Sequence, residues 1–136
     1  MVMGHPLLEL RDKTAVVIGG TGGIGLALTQ GLAQAGANVV PTGRRAERVQ
    51  TAASAVEALG QRSLVRTCDV TDNASVERLL EDVCSAFGSV EILVNCAGRT
   101  KRMPTLQVSD SDACLTQISR WICAKQISPR QERASE

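Results

Sequence analysis

The 136 residues, 43% of them hydrophobic, amount to one domain, long enough to bury roughly two thirds of the unfolded chain's surface. A formal net charge of +1, from 15 basic and 14 acidic residues interspersed along the chain, supplies no long-range field for nucleic acid or an anionic membrane, and one Phe, one Trp and no Tyr leave few platforms for base stacking. No apolar run approaches the roughly 20 residues of a membrane span, and the opening "MVMGHPLLELRDK" lacks the apolar core of a signal peptide, so a soluble, cytoplasmic protein is expected.

"TAVVI", Thr14 to Ile18, is a short β-branched run that reads as the first strand. Its exit lies in "VIGGTGGIGLAL", Val17 to Leu28, which packs five glycines into seven positions. Such a loop suits a nucleotide phosphate: Gly19 permits the tight turn out of the strand, Gly23 lets backbone approach the phosphate, and Gly25 lets the following helix pack closely on the sheet. The positive end of that helix then faces the anion. A glycine-rich turn without a ligand is the alternative. A Walker A loop matches poorly, because no GK[ST] follows the glycines. A methyltransferase-type loop stays open, although its ribose is usually gripped by an acidic residue at the end of the second strand.

Ile24, Leu28, Leu32 and Ala35 recur at helical spacing and predict the apolar face of the first helix, stopped by Gly36. "ANVVPT", Ala37 to Thr42, reads as the second strand and runs into "TGRR", Thr42 to Arg45. A carboxylate there would accept hydrogen bonds from a free ribose 2′-OH, whereas Arg44, with Arg45 beside it, pairs with a 2′-phosphate and favours NADP over NAD. The other reading is that both arginines are solvated residues opening the next helix. Thr21 adds a hydroxyl to the same phosphate or to the ribose.

Val49, Ala52, Ala53, Val56 and Leu59 predict a second helix ending at Gly60, and "SLVRTC", Ser63 to Cys68, a third strand. Val76, Leu79, Leu80, Val83 and Phe87 predict a third helix before Gly88, capped at its start by Thr71 or Asp72; "VEILVN", Val90 to Asn95, closes the series as a fourth strand. Strands separated by helices of this length run parallel with right-handed crossovers. The expected fold is therefore α/β, a Rossmann-type parallel sheet with helices on both faces, truncated after about four strands. Ligands bind such sheets beyond the carboxyl ends of the strands, where the glycine loop lies. The five cysteines, Cys68, Cys84, Cys96, Cys114 and Cys123, contain no CxxC pair, and His5 stands alone near a terminus, so neither a disulfide framework nor a metal site is expected.

Three motifs in order, GxxxGxG from Gly19 to Gly25, "CDV" at Cys68 to Val70 and "LVNCAG" at Leu93 to Gly98, resemble the classical short-chain dehydrogenases/reductases over roughly residues 7 to 112. The resemblance implies that Gly19, Thr21, Gly23, Ile24 and Gly25 form the cradle of the cofactor's pyrophosphate and adenosine ribose, and that Arg44 and Arg45 select the 2′-phosphate. It implies that Asp69 accepts a hydrogen bond from the adenine amino group with Val70 beside the ring, and that Asn95, Ala97 and Gly98 border the nicotinamide ribose. A helix cap or turn is the alternative role for Asp69. Ile18 replaces the family's usual threonine, and Cys96 the second asparagine of its NNAG pattern. The implied reaction is reversible hydride transfer between NADP(H) and a carbonyl or secondary alcohol.

The family's catalytic serine and its YxxxK motif lie beyond the segment that Leu93 to Gly98 matches, and this sequence contains no tyrosine, so no catalytic residue is assigned and the chain as given is expected to be inactive. Residues 113–136, "ACLTQISRWICAKQISPRQERASE", carry no sustained apolar stripe and read as an irregular tail after an NADP-binding region of residues 1–112. A frameshift near residue 113 is one explanation: with suitable codons the shifted frame across Leu115 to Ser119 reads Asp-Thr-Asn-Leu, similar to the family. Truncation and unusual splicing stand beside it. A catalytically silent dinucleotide-binding module and a nonfunctional product are the alternatives to a reductase. The fourth strand is expected to be an exposed edge prone to self-association, without the family's tetramer.

Overall fold

Short apolar runs alternating with amphipathic segments give the chain its elements in the computed structural model, which describes residue 7 and residues 9–97: β1 (Thr14–Ile18), α1 (Gly23–Gln34), β2 (Asn38–Thr42), α2 (Ala46–Ala58), α3 (Asn73–Phe87) and β3 (Ile92–Asn95). The strands form one parallel sheet in the order β2-β1-β3, with Val16 opposite both Val40 and Leu93. All the described residues belong to one compact unit, Met1–Gly98.

β1 is buried along its whole length because it is central in the sheet and covered on both faces. On one face Ala15, Val17 and Val39 pack with Ala33 of α1 and Val56 of α2, and Ile92 and Val94 join them. Val16, Ile18 and Val40 bury the opposite face, which the right-handed crossover leaves to α3 with its buried Val76, Leu79, Leu80 and Val83. This is the expected Rossmann-type arrangement. Gly36, Gly60 and Gly88 lie just past the helix ends at positive φ, as their placement as stops predicts. Of the two capping candidates for α3, Asp72 does the work, its side chain accepting from the Ala74 amide.

Three expectations need correction. Ser63 to Cys68 is not a strand. The segment does run beside β2, since Val39 N–H donates to Arg62 O (3.2 Å) and Cys68 N–H to Gly43 O (2.9 Å). Between those bonds, alternation along β2 aims Pro41 at the same neighbour, and Pro41 has no N–H to donate. Side chains supply the substitutes: the Ser63 hydroxyl donates to Val39 O and the Thr42 hydroxyl to Arg66 O.

The buried face of α1 is also offset from the predicted one. Gly25, Thr29 and Ala33 face inward, whereas Ile24 is 77% exposed, Leu28 is exposed and Leu32 is only partly buried. Hydropathy misreads this helix because the contact selects small side chains rather than apolar ones; the Thr29 hydroxyl lies 2.8 Å from Gly25 O and 3.3 Å from Gly20 O, satisfied inside the helix and the loop. In α2 the predicted Val49, Ala52, Ala53 and Val56 are buried, but Leu59 is exposed where the helix ends.

Candidate functional site

The carboxyl ends of the three strands converge on the glycine loop between β1 and α1. Gly19 and Gly20 both donate to Thr42 O at the end of β2, at 2.9 and 3.2 Å, while Cys96, just past β3, donates to Ile18 O at 2.7 Å. Gly19 has φ +78°, and a β-carbon on it would lie 2.7 Å from Ala97 N, so the strand exit can pass this close only as glycine. Gly25 is tighter still: a β-carbon there would fall 2.0 Å from Gly19 O, which fixes the first turn of α1 against the loop.

Gly23 opens α1 at φ +56°, is exposed, and has open space where a side chain would project. Gly22 caps the helix without a side-chain hydrogen bond, and the first turn carries no acidic residue. The amides at this end therefore have neither an intrahelical nor a capping side-chain partner, the arrangement that accommodates an anion.

At the end of β2, Gly43 packs against Thr21: a β-carbon on Gly43 would stand 3.2 Å from Thr21 Oγ1. Arg44 and Arg45 follow, both exposed, with Arg45 as the extended residue that precedes α2. Asp69 and Val70 continue from Cys68, whose amide bond to Gly43 O brings them beside the same strand end. Asp69 Oδ1 accepts from the Thr71 amide (3.0 Å) and hydroxyl (2.7 Å), so this oxygen shapes the turn into α3. Asn95 Oδ1 accepts from Ala97 N–H at 3.2 Å, holding the exit of β3 against Gly19. Thus Gly19, Thr21, Gly25, Asn95 and Ala97 meet around one loop, Gly23 and Ile24 stand at its open rim, and Gly98 lies outside the described residues, as do His5 and residues 113–136.

Reading the sequence missed Gly20, Gly43 and Arg48. A β-carbon on Gly20 would press on Thr29 Oγ1 at 2.8 Å, and Gly43 leaves room for Thr21; each is a glycine next to a strand end, a signal available in the text. Arg48, one helical turn beyond Arg44, lines a groove of about 360 Å³ between α1 and α2 together with Thr21, Gln30 and Thr51. Cys68 is buried, and burial, with the charges of Asp69 and Asp72, pushes its thiol up despite the opposing bond with Ser75, so it is a neutral thiol at physiological pH. Among the described residues no cluster of metal-ligating side chains occurs, and no helix is long and apolar enough to cross a membrane.

The family described as short chain dehydrogenase matches residues 13–119. The chain belongs to that family. Gluconate 5-dehydrogenase of Gluconobacter oxydans is 40% identical over 111 residues, covering 81% of this chain and 43% of the relative. L-Sorbose reductase of Gluconobacter frateurii, solved with NADPH and L-sorbose, superposes with a TM-score of 0.72 at 31% identity, over 83% of this chain and 47% of that one. A short chain dehydrogenase of Burkholderia cenocepacia in complex with NADP gives a TM-score of 0.67 at 36% identity, over 81% and 45%. This short-chain dehydrogenase chain spans less than half the length of these relatives.

Proposed function

We propose that this chain binds NADP(H) as the cofactor-holding part of a reductase that passes a hydride between NADP(H) and a carbonyl or secondary alcohol. The observation that carries the reading is the convergence of three strand exits on a glycine loop beside which β2 is followed by Gly43, Arg44 and Arg45, with no carboxylate at those three positions to receive a free 2′-OH. The solved relatives with bound NADPH and NADP support it.

In this reading the open backbone from Gly22 to Gly25 holds the pyrophosphate at the start of α1, and Thr21, Arg44 and Arg45 hold the 2′-phosphate. Asp69 and Val70 border the adenine; the bonds of Asp69 Oδ1 to Thr71 orient the carboxylate at that edge. Asn95, Ala97 and Gly98 border the nicotinamide ribose. When bound, the nicotinamide supplies or accepts the hydride. These residues bind and orient. Proton exchange in the family belongs to a tyrosine and a lysine, and the 136 residues contain no tyrosine, so the chain by itself holds cofactor without turning over substrate.

Titrations of NADPH and NADH into the chain and into Arg44→Asp test this. The unaltered chain prefers NADPH by at least about tenfold, a difference of about 1.4 kcal/mol, and Arg44→Asp removes or inverts that preference. Equal affinity for both nucleotides, untouched by Arg44→Asp, would overturn the NADP assignment.

A further inference from the structure

Arg48 is the basic side chain that the assignment of Arg44 and Arg45 leaves unused. It projects from the first turn of α2 into the groove shared with Thr21, and its Nη1 lies 4.0 Å from where a β-carbon on Gly22 would be. Among the described residues no carboxylate or carbonyl pairs with its guanidinium. Glu47 lines the same groove without forming an ion pair with it. Arg48 is exposed and lines the groove together with the Thr21 hydroxyl, and a guanidinium, with five donors and no acceptor, presents a fork that matches a phosphate.

The groove lies on the β2 side of the loop, because Thr21 packs against Gly43, whereas Gly19 packs against Ala97 on the β3 side. In a Rossmann-type site the adenosine ribose is gripped at the end of the second strand and the pyrophosphate at the helix start. Arg48 therefore falls on the ribose side. It lies in the first turn of α2, at the same end of the helix as Arg44 and Arg45, which immediately precede the helix.

We propose that Arg48 is a specificity-determining residue, closing the outer side of the 2′-phosphate site together with Thr21. The inference rests on the NADP(H) reading above and adds a residue to it. Glu47, the one carboxylate lining that groove, opposes the same anion and limits its affinity.

The probes are 2′,5′-ADP, which carries the 2′-phosphate, and 5′-ADP, which lacks it, titrated at low ionic strength into the full chain, Arg48→Met, Arg48→Lys and Glu47→Gln, with circular dichroism establishing that each is folded. Arg48→Met weakens 2′,5′-ADP about tenfold and changes 5′-ADP less than twofold; Arg48→Lys restores part of the loss; Glu47→Gln tightens 2′,5′-ADP about twofold while leaving 5′-ADP unchanged. A role in packing or in holding the pyrophosphate would weaken both ligands alike, and that result overturns the proposal. So does an unchanged affinity for 2′,5′-ADP in Arg48→Met while the unaltered chain still discriminates the two probes, which removes Arg48 and leaves the NADP(H) reading standing. Failure of the unaltered chain to discriminate them removes both.

Discussion

Three glycines within one turn-and-helix stretch respond to substitution in three different ways, and the differences follow from what each would touch. At Gly25 a β-carbon would meet Gly19 O at 2.0 Å, a backbone atom fixed by the Gly19 bond to Thr42 O. Gly25→Ala therefore lowers stability by about 1–3 kcal/mol or more, read from the denaturation midpoint, because the helix must retreat from the loop. Gly31 lies in the exposed interior of α1 with nothing near its Cβ position, so Gly31→Ala raises stability by about 0.5–1 kcal/mol through helix propensity alone. Gly23 has room but a φ of +56°, so alanine there costs about 1–2 kcal/mol of backbone strain. The roles of Gly19 and Gly25 in turning and packing were legible in the sequence, because a Rossmann-type loop needs glycine at that spacing. Arg48 was not, since a single charged residue in a helix looks the same in sequence whether it faces solvent or a groove.

At the level of elements, β1 and β3 are clasped at their starts by a reciprocal pair: Glu91 N–H donates to Thr14 O at 3.0 Å, and Thr14 N–H donates to Glu91 Oε2 at 2.8 Å. Partial burial pushes the Glu91 carboxyl up, but the bonds from the Ser89 hydroxyl and the Thr14 amide, with Lys13 nearby, outweigh it and leave it below its ordinary value of 4.5. A carboxyl with a depressed folded pKa contributes stability that is fully present above the unfolded value and is lost as the pH falls through the folded one. Urea denaturation of the chain and of Glu91→Gln between pH 6 and pH 3 should show that part of the acid-induced loss missing in the variant; identical slopes in both would remove Glu91 from the account.

Pro41 makes a second prediction at this scale. Pro41→Val supplies the amide that β2 lacks toward Ser63 to Cys68, so hydrogen exchange there should slow and the segment should become a strand. Global stability should change little, because the bond gained is offset by the freer unfolded chain. Most elements were legible from their apolar spacing and glycine stops. The two misread ones share a cause: strand pairing depends on a donor, and close helix packing depends on small volume, and hydropathy reports neither.

For the whole molecule, membership of the short-chain dehydrogenase family and the Rossmann-type sheet are consistent from motif to fold, while the proposed division of labour separates holding a cofactor from reacting with it. With no tyrosine among its 136 residues, the chain should consume no NADPH with ketones, sugars or 3-oxoacyl thioesters at any pH, even where it binds the nucleotide; cofactor oxidation dependent on substrate would show proton exchange by another group. The central claim is tested most directly by calorimetric titration of the folded chain with NADPH at low ionic strength. Saturable one-to-one binding, tighter than that of NADH, is the predicted result. A folded chain that takes up no NADPH at millimolar concentration would contradict it.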